Sequence, residues 1–335
     1  DVYKRQCMKN LLKKTLKLIL PIVLGGFILF WVYHNFDFTK VGEVLLHGTN
    51  WWWMFFSLLF GVLAQVFRGW RWKQMLEPLE AFPKRSDCVN AIFISYAASL
   101  IVPRVGEVSR CGVLAKYDNV SFAKSLGTVV TERLVDTLTI LLITGVTVLL
   151  QLPIFVTFLQ QTGTKIPSLL HLLTSVWFYI VLFCFIGVGM LLYYLRKTLF
   201  FYERVKGFVL NIWEGVMSLK GVRNIPLFSF YTLAIWGCYF FHFYFTFYCF
   251  AFTAHLSILA ALVMFVGGTF AVIVPTPNGA GPWHFAVISM MMLYGVNETD
   301  AGIFALIVHG IQTFLVVLLG VYGLAALSLT NRQRK

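Results

Sequence analysis

Two apolar runs, 257–275 and 283–294, flank a stretch rich in proline and glycine: Pro275-Thr276-Pro277-Asn278-Gly279-Ala280-Gly281-Pro282-Trp283-His284. Proline lacks an amide hydrogen, and glycine adopts backbone conformations that other residues avoid, so this stretch predicts a break between two short helices. The helix after the break would direct its free N–H groups and the positive end of its dipole towards a site at the break. A surface turn is the alternative interpretation.

An earlier segment has the same character. Residues 88–103 are apolar, too short to cross a bilayer, and end at Pro103. Irregular backbone survives at membrane depth only where protein or a watery cavity covers it. We therefore expect 88–117 and 257–295 to be helical hairpins that enter and leave the membrane on the same side. The alternative is that 88–103 and 257–275 are ordinary short spans.

The composition is typical of a protein surrounded by lipid. Its 335 residues are 59% hydrophobic and 12% charged, whereas soluble domains are about 45–50% apolar and about 25% charged. These values exclude a cytosolic enzyme, a secreted disulfide scaffold and a disordered chain. Six stretches are long and apolar enough for full spans: 16–34, 51–67, 124–150, 172–195, 226–252 and 301–328. The predicted fold is an all-α polytopic membrane protein with six full transmembrane helices and two re-entrant hairpins.

The distribution of basic residues predicts the orientation. Of the 27 Lys and Arg residues, only Lys40 and Lys165 would face outside in this topology, and an excess of positive charge marks the cytoplasmic side. Both termini are then cytoplasmic. The basic residues after the second span, within 68–72, are interpreted as part of an aromatic and basic belt at the interface. Residues 199–222 are expected to form an amphipathic helix on the cytoplasmic surface.

The basic, apolar segment that begins at Met8 is typical of a bacterial inner-membrane protein, so we place the chain in the bacterial cytoplasmic membrane. Residues 1–7 are interpreted as extraneous and 8–335 as one transmembrane domain. The formal net charge of +13 fits contact with anionic lipid, and no nucleic-acid partner is expected.

The two interrupted segments resemble each other, with Ile101-Val102-Pro103 matching Ile273-Val274-Pro275. We interpret residues 88–150 and 257–328 as two repeats. Three full spans (124–150, 172–195 and 226–252) separate Pro103 from Pro275, so the second repeat would be inverted relative to the first. Inverted repeats with broken helices are a recurrent transporter plan, and the substrate site lies where they meet.

Six charged residues follow the first break or lie early in the next span: Arg104, Glu107, Arg110, Glu132, Arg133 and Asp136. An ionised side chain at the centre of a membrane helix costs about 2.5–3.5 kcal/mol, so these residues must pair or line water. Arginine binds phosphate through two hydrogen bonds, and carboxylates could hold the arginines in place. The pattern predicts an anion site; a self-neutralising structural network near the headgroups is the alternative.

The second break adds further candidates for contact with a lipid phosphate: Asn278, Gly279, Gly281, His284 and His309. Both histidines could titrate or contact the phosphate, and hydrogen-bonded packing is the alternative. The six cysteines show no CxxC spacing, and no catalytic signature is present. We expect no metal, no cofactor and no catalytic residue.

These motifs resemble the transmembrane region of the lysylphosphatidylglycerol synthase family, a group of flippase-like membrane proteins. The similarity rests on three patterns: Pro103-x-x-Gly106-Glu107-x-x-Arg110, Glu132-Arg133-x-x-Asp136 and Pro275-x-Pro277-x-Gly279-x-Gly281. Many members have Glu at the position of His284, and often Gly at that of Asn278. Members fused to a soluble aminoacyl-transferase domain make and flip a lysyl-lipid. The sequence ends near the last span, so the resemblance implies the flippase-like region without the synthase activity.

Three functions follow as hypotheses. The first is translocation of a phospholipid or polyprenyl-phosphate-linked lipid through a polar cleft between the hairpins. The second is an intramembrane enzyme that acts on a lipid phosphate. The third is a non-catalytic membrane partner of a lipid or glycan synthase. A homodimer is compatible with each of them.

Overall fold

The computed structural model describes residues 19–34, 36–152 and 221–332. Regular structure within these ranges is helical, without strands. It comprises ten α-helices: α1 Ile19–Tyr33, α2 Thr39–Glu43, α3 Trp51–Leu76, α4 Arg85–Ile101, α5 Val105–Asp118, α6 Phe122–Leu150, α7 Ile225–Tyr244, α8 Ile258–Ala271, α9 Pro282–Leu293 and α10 Glu298–Arg332. Four of them, α3, α6, α7 and α10, are long and apolar enough to cross a membrane.

These four helices confirm the spans predicted at 51–67, 124–150, 226–252 and 301–328. The described part of span 16–34 is the shorter apolar helix α1. The predicted span 172–195, the amphipathic helix 199–222 and residues 1–7 lie outside the described residues.

The largest difference between a predicted and an observed helix boundary is at the end of α3. This helix does not end near residue 67 but continues to Leu76, a length of 26 residues and about 39 Å. The interpretation of residues 68–72 as an interfacial belt is wrong, because Arg68, Arg71 and Trp72 are buried, with 0–3% exposure. Arginine tolerates such burial only when carboxylates compensate its charge.

The α3 and α7 helices form an antiparallel pair. The Asn50 N–H donates to the Cys249 carbonyl at 2.7 Å, which joins the start of α3 to the 3₁₀ turn Phe245–Cys249 that follows α7. Near the other end, Arg71 Nη1 donates to Thr232 Oγ1 at 3.2 Å. This pair defines two ends of the molecule, called here the Trp51 end and the Leu76 end.

Hairpin one consists of α4 and α5, with the break at 102–104. Arg104 has a left-handed φ of +66°, and the chain reverses there. The two helices approach so closely that a Cβ at Gly106 would overlap the Ser95 carbonyl oxygen and the Ser99 hydroxyl. Hairpin one starts just after α3, and Lys124 Nζ, early in α6, donates to the Leu79 carbonyl at 3.2 Å. Hairpin one therefore begins and ends at the Leu76 end.

Hairpin two consists of α8 and α9, with a longer break at 272–281. Its first helix starts at Ser257, which caps it by accepting from the Ala260 N–H at 3.2 Å. Gly281 has a φ of +94°, and a Cβ there would press against Ile28 and the Gly25 carbonyl of α1. Both features require glycine at position 281.

Hairpin two begins and ends at the opposite end of the molecule from hairpin one. Its start follows α7 closely, next to Cys249 at the Trp51 end. After its second helix, α10 begins at the same end, where the Phe304 ring packs on that of Phe250, next to Cys249, with their centroids 5.7 Å apart.

Each hairpin packs against the long helix that follows the other one: α4 against α10, and α8 against α6. The contact between α4 and α10 is close, since Gly320 and Gly323 lie directly against the backbone and side chains of α4. The breaks of the two hairpins consequently meet between the two ends of the molecule, and this meeting point holds the candidate site.

Candidate functional site

A buried ionic cluster lies beside hairpin one. Its members come from three helices: Arg68 and Arg71 on α3, Glu107 and Arg110 on α5, and Glu132, Arg133 and Asp136 on α6. We call these seven residues the arginine–carboxylate cluster. The structure thus brings together five of the six charged residues that the sequence singles out.

Glu132 is the centre of the cluster and has no exposed surface. Its Oε1 accepts from Arg68 Nη1 at 2.5 Å and from Arg133 Nη2 at 2.7 Å. Its Oε2 accepts from Arg110 Nη1 at 2.9 Å. One carboxylate on α6 therefore holds arginines from α3 and α5, which ties hairpin one to the long helices.

Asp136 lies one helical turn further along α6 and faces the same side. Its Oδ2 accepts from Arg68 Nη1 at 2.7 Å and its Oδ1 from Arg71 Nη2 at 2.6 Å. Arg133 Nη2 lies 3.2 Å from Asp136 Oδ2. The two carboxylates share Arg68 and Arg133, so the cluster behaves as one unit.

Sequence reasoning missed Arg68 and Arg71. Their spacing of three residues on an apolar helix places both on one face, together with Gln65, and that pattern could have identified them. They change the charge of the cluster: four arginines face three carboxylates, a formal charge of +1. The six charged residues that the sequence singles out have a formal sum of zero, so the cluster differs from that prediction by one positive charge.

Arg110 also has an aromatic partner. Its guanidinium carbon lies 4.7 Å from the Trp72 ring centroid, a cation–π contact. The Trp72 indole in turn donates to Thr128 Oγ1 at 2.9 Å. Ring and carboxylate together fix the Arg110 side chain, while its Nη2 has no hydrogen-bond partner in the described part of the chain.

The polar face of the cluster opens into a cavity of about 230 Å³, called here the polar cavity. Both hairpin breaks and the α3, α4, α5 and α6 helices contribute to its lining: Arg68, Ser95, Tyr96, Ser99, Pro103, Arg104, Glu107, Arg110, Arg133, Val272, Pro275, Thr276, Asn278 and Gly279. Arg104 of the first break and Asn278 and Gly279 of the second thus line the same cavity.

Two cationic side chains in the polar cavity, those of Arg104 and Arg133, are available to a ligand. Arg104 is exposed and forms no ion pair with any described residue. The Arg133 side chain is 42% exposed, the most of any arginine in the cluster. Thr276 is 4% exposed, and its hydroxyl has no partner within the described residues.

A larger cavity of about 580 Å³ adjoins the polar one and shares Arg68, Tyr96, Arg133 and Val272 with it. We call it the apolar cavity, because most of its remaining lining is aromatic or aliphatic: Ile140, Leu141, Trp236, Phe243, Phe265, Phe270, Ile273 and Trp283. Tyr96 and Tyr239 also line it, with their hydroxyl oxygens 2.6 Å apart. A polar and an apolar compartment are therefore contiguous.

His284 and His309 lie behind the second break and line neither cavity. The His284 and His309 ring centroids are 4.6 Å apart. His309 Nε2 lies 3.1 Å from the Asn278 carbonyl oxygen, and Asn278 Nδ2 donates to Thr313 Oγ1 at 2.6 Å. His284 Nδ1 accepts from the Gly281 N–H at 3.4 Å. This geometry fits the alternative of hydrogen-bonded packing, with His309 and Thr313 holding Asn278 in place.

A comparison with known families agrees with these motifs. The family model described as lysylphosphatidylglycerol synthase TM region matches residues 18–320. The chain belongs to this family. No curated protein and no solved structure shows significant similarity to this chain.

The three sequence patterns on which the resemblance rests have distinct places in the fold. Gly106 of the first pattern allows α4 and α5 to touch, and Arg110 reaches from the same helix to Glu132 of the second. The third pattern forms the second break, where Gly279 and Gly281 have positive φ values of 71° and 94°. Among the described residues, no group of three or more His, Cys, Asp or Glu side chains is placed to hold a metal ion.

Proposed function

We propose that the protein translocates a phosphate-bearing lipid, such as a phospholipid or a polyprenyl-phosphate-linked lipid, between the two leaflets of the membrane. One observation supports this most strongly: a cationic polar cavity is contiguous with a larger apolar one, and four residues line both. A free anion needs only the first compartment. An amphiphile, with a charged headgroup and hydrocarbon tails, needs both.

The charge of the polar cavity favours an anionic headgroup. The arginine–carboxylate cluster has a formal excess of one positive charge, and Arg104 adds a second cation at the same cavity. Arg133 and Arg104 are the exposed cations there, and guanidinium groups bind phosphate through paired hydrogen bonds.

The hairpins provide the path. Hairpin one begins and ends at the Leu76 end, hairpin two at the Trp51 end, and their breaks line one cavity. We infer that both are re-entrant, and that they form inverted repeats which approach the site from opposite membrane faces. A headgroup loses its water when it enters hydrocarbon, at a large cost in free energy. Arginine side chains and hydrogen-bond donors at intermediate depth lower that barrier, and no covalent chemistry is needed.

Reconstitution into liposomes tests the proposal. A fluorescent phospholipid is placed in both leaflets, and an impermeant reductant then bleaches the outer one. If the protein translocates lipid, bleaching proceeds beyond the outer half. Headgroup release, measured on the same liposomes, tests the enzyme hypothesis: a released headgroup without leaflet exchange would replace translocation by catalysis. If a synthase co-purifies in stoichiometric amount and the liposomes show neither leaflet exchange nor headgroup release, the partner hypothesis is favoured.

A further inference from the structure

Four side chains form the boundary between the polar and the apolar cavity. Arg68 on α3, Tyr96 on α4, Arg133 on α6 and Val272 in the second break line both cavities. From this boundary the apolar cavity extends away from the Leu76 end, because its lining on α6 continues from Arg133 to Leu141. A headgroup that leaves the polar cavity towards the Trp51 end must therefore pass these four side chains.

A hydrogen bond ties one member of this boundary to another helix. The Tyr96 hydroxyl oxygen lies 2.6 Å from that of Tyr239 on α7. The Arg68 guanidinium carbon lies 5.7 Å from the Tyr239 ring centroid, a cation–π contact that fixes Tyr239. The two hydroxyls therefore connect hairpin one to α7 where the cavities meet.

Tyr96 is also the boundary residue that can move at the least cost. Arg68 and Arg133 are each held by charge-assisted hydrogen bonds to Glu132. Tyr96 is tied by one neutral hydrogen bond, and it lies where the buried part of α4 ends, since residues 96–100 are only half-buried. The α4 helix packs chiefly on α3, α5 and α10, so Tyr96 can separate from Tyr239 while these contacts persist.

We propose that the Tyr96–Tyr239 pair is a gate between the polar and the apolar cavity, closed in this structure by the hydrogen bond between the two hydroxyls. This inference rests on the proposed translocation and adds a step that limits its rate: the hydroxyls separate, Tyr96 moves away from α7, and the headgroup passes. The bond stabilises the closed state, so removal of either hydroxyl shifts the population towards the open one.

Phenylalanine variants test the gate, because they remove the bond and keep both rings. In liposomes containing fluorescent phosphatidylglycerol, Tyr96→Phe and Tyr239→Phe should each exchange lipid between leaflets about two- to tenfold faster than wild type, the effect of losing one neutral hydrogen bond. The double variant should be no faster than either single one, since both substitutions remove the same bond. If the pair only stabilised the fold, the variants would unfold at lower temperature and exchange lipid more slowly.

A second pair of tyrosines provides a matched control. The hydroxyl oxygens of Tyr244 and Tyr248 are also 2.6 Å apart, and neither residue lines the polar or the apolar cavity. Tyr244→Phe therefore removes an equivalent bond away from the boundary, and this variant should exchange lipid at the wild-type rate.

The outcomes separate the gate from the proposed function. If wild type exchanges lipid and neither Tyr96→Phe nor Tyr239→Phe exchanges it faster, the gate is overturned and the translocation stands. Additive acceleration in the double variant, or equal acceleration in Tyr244→Phe, would also overturn the gate alone. Absence of exchange in wild type and in all the variants would remove both the translocation and the gate.

Discussion

Arg71 on α3 and Asp136 on α6 form an ion pair in which Nη2 lies 2.6 Å from Oδ1, and the Arg71 side chain has no exposed surface. Burying two charges costs several kcal/mol per ion, and the cost is offset only when geometry and hydrogen bonds are good. Arg71 also donates to Thr232, which links α7 to the same pair. This part of the cluster is structural, whereas Arg133 and Arg104 face the polar cavity.

The buried and exposed carboxylates should therefore differ in their effect on stability. Glu132→Gln removes the charge that Arg68, Arg110 and Arg133 share, so it should cost about 3–5 kcal/mol. Glu107→Gln is the same substitution at a side chain that is 38% exposed, with one ion pair of 3.6 Å, and it should cost less than about 1 kcal/mol. Thermal unfolding of both variants in detergent measures the difference. Equal losses would show that the cluster does not hold the helices together.

The packing of α4 against α5 in hairpin one should depend on glycine at position 106 and not on glycine at other positions of α5. A Cβ at Gly106 would overlap Ser95 and Ser99, so Gly106→Ala should separate α4 from α5 and lower the unfolding temperature. Gly112 lies in the same helix with open space around it. Gly112→Ala should be neutral or stabilising by up to about 1 kcal/mol, because alanine favours helix more than glycine does. Two variants of equal stability would contradict the close packing of hairpin one.

Two substitutions at Asn278, in the second break, should separate the contribution of its backbone conformation from that of its hydrogen bond. The φ angle of Asn278 is 53°. Asn278→Gly keeps the left-handed backbone and loses the hydrogen bond to Thr313, at a cost of about 1 kcal/mol. Asn278→Ala loses both and should cost about 1–2 kcal/mol more. The free energy of unfolding of the two variants provides the comparison, and an alanine variant at least as stable as the glycine variant would contradict the assigned conformation.

Labelling from the two sides of the membrane should show that the two hairpins start on opposite sides. Ser86, in the first turn of hairpin one, and Ser257, at the start of hairpin two, are both exposed serines. With an impermeant maleimide, Ser86→Cys should react from the cytoplasmic side and Ser257→Cys from the outside. The unmodified chain serves as the labelling control. Reaction of both positions from the same side would refute the inverted arrangement.

The sequence identified the features that local chemistry determines. Apolar runs predicted α3, α6, α7 and α10, and prolines 103 and 275 located both breaks. The charged residues of α5 and α6 could be grouped because their spacing of three or four residues places them on shared faces.

Tertiary partners account for what the sequence did not reveal. Arg68 and Arg71 follow an apolar run, as interfacial arginines commonly do, and only the position of Glu132 and Asp136 on a distant segment of the chain shows that they are buried. His284 follows the second break in sequence and His309 lies on α10, but their rings line neither cavity and pack on each other. Side-chain direction at an irregular break is set by contacts between helices, and periodicity carries no information about it.

Leaflet exchange by charge-matched variants tests the central claim most directly. Arg133→Gln and Arg104→Gln each remove an exposed cation from the polar cavity, and Arg85→Gln removes one from the start of α4, outside both cavities. In liposomes containing fluorescent phosphatidylglycerol, wild type and Arg85→Gln should exchange lipid between leaflets at similar rates. Arg133→Gln and Arg104→Gln should exchange it at least about tenfold more slowly, the effect of losing one charge-assisted hydrogen bond, while wild type, Arg85→Gln and Arg104→Gln unfold at similar temperatures. Wild-type exchange no faster than in protein-free liposomes, or equal rates in all four proteins, would contradict the account.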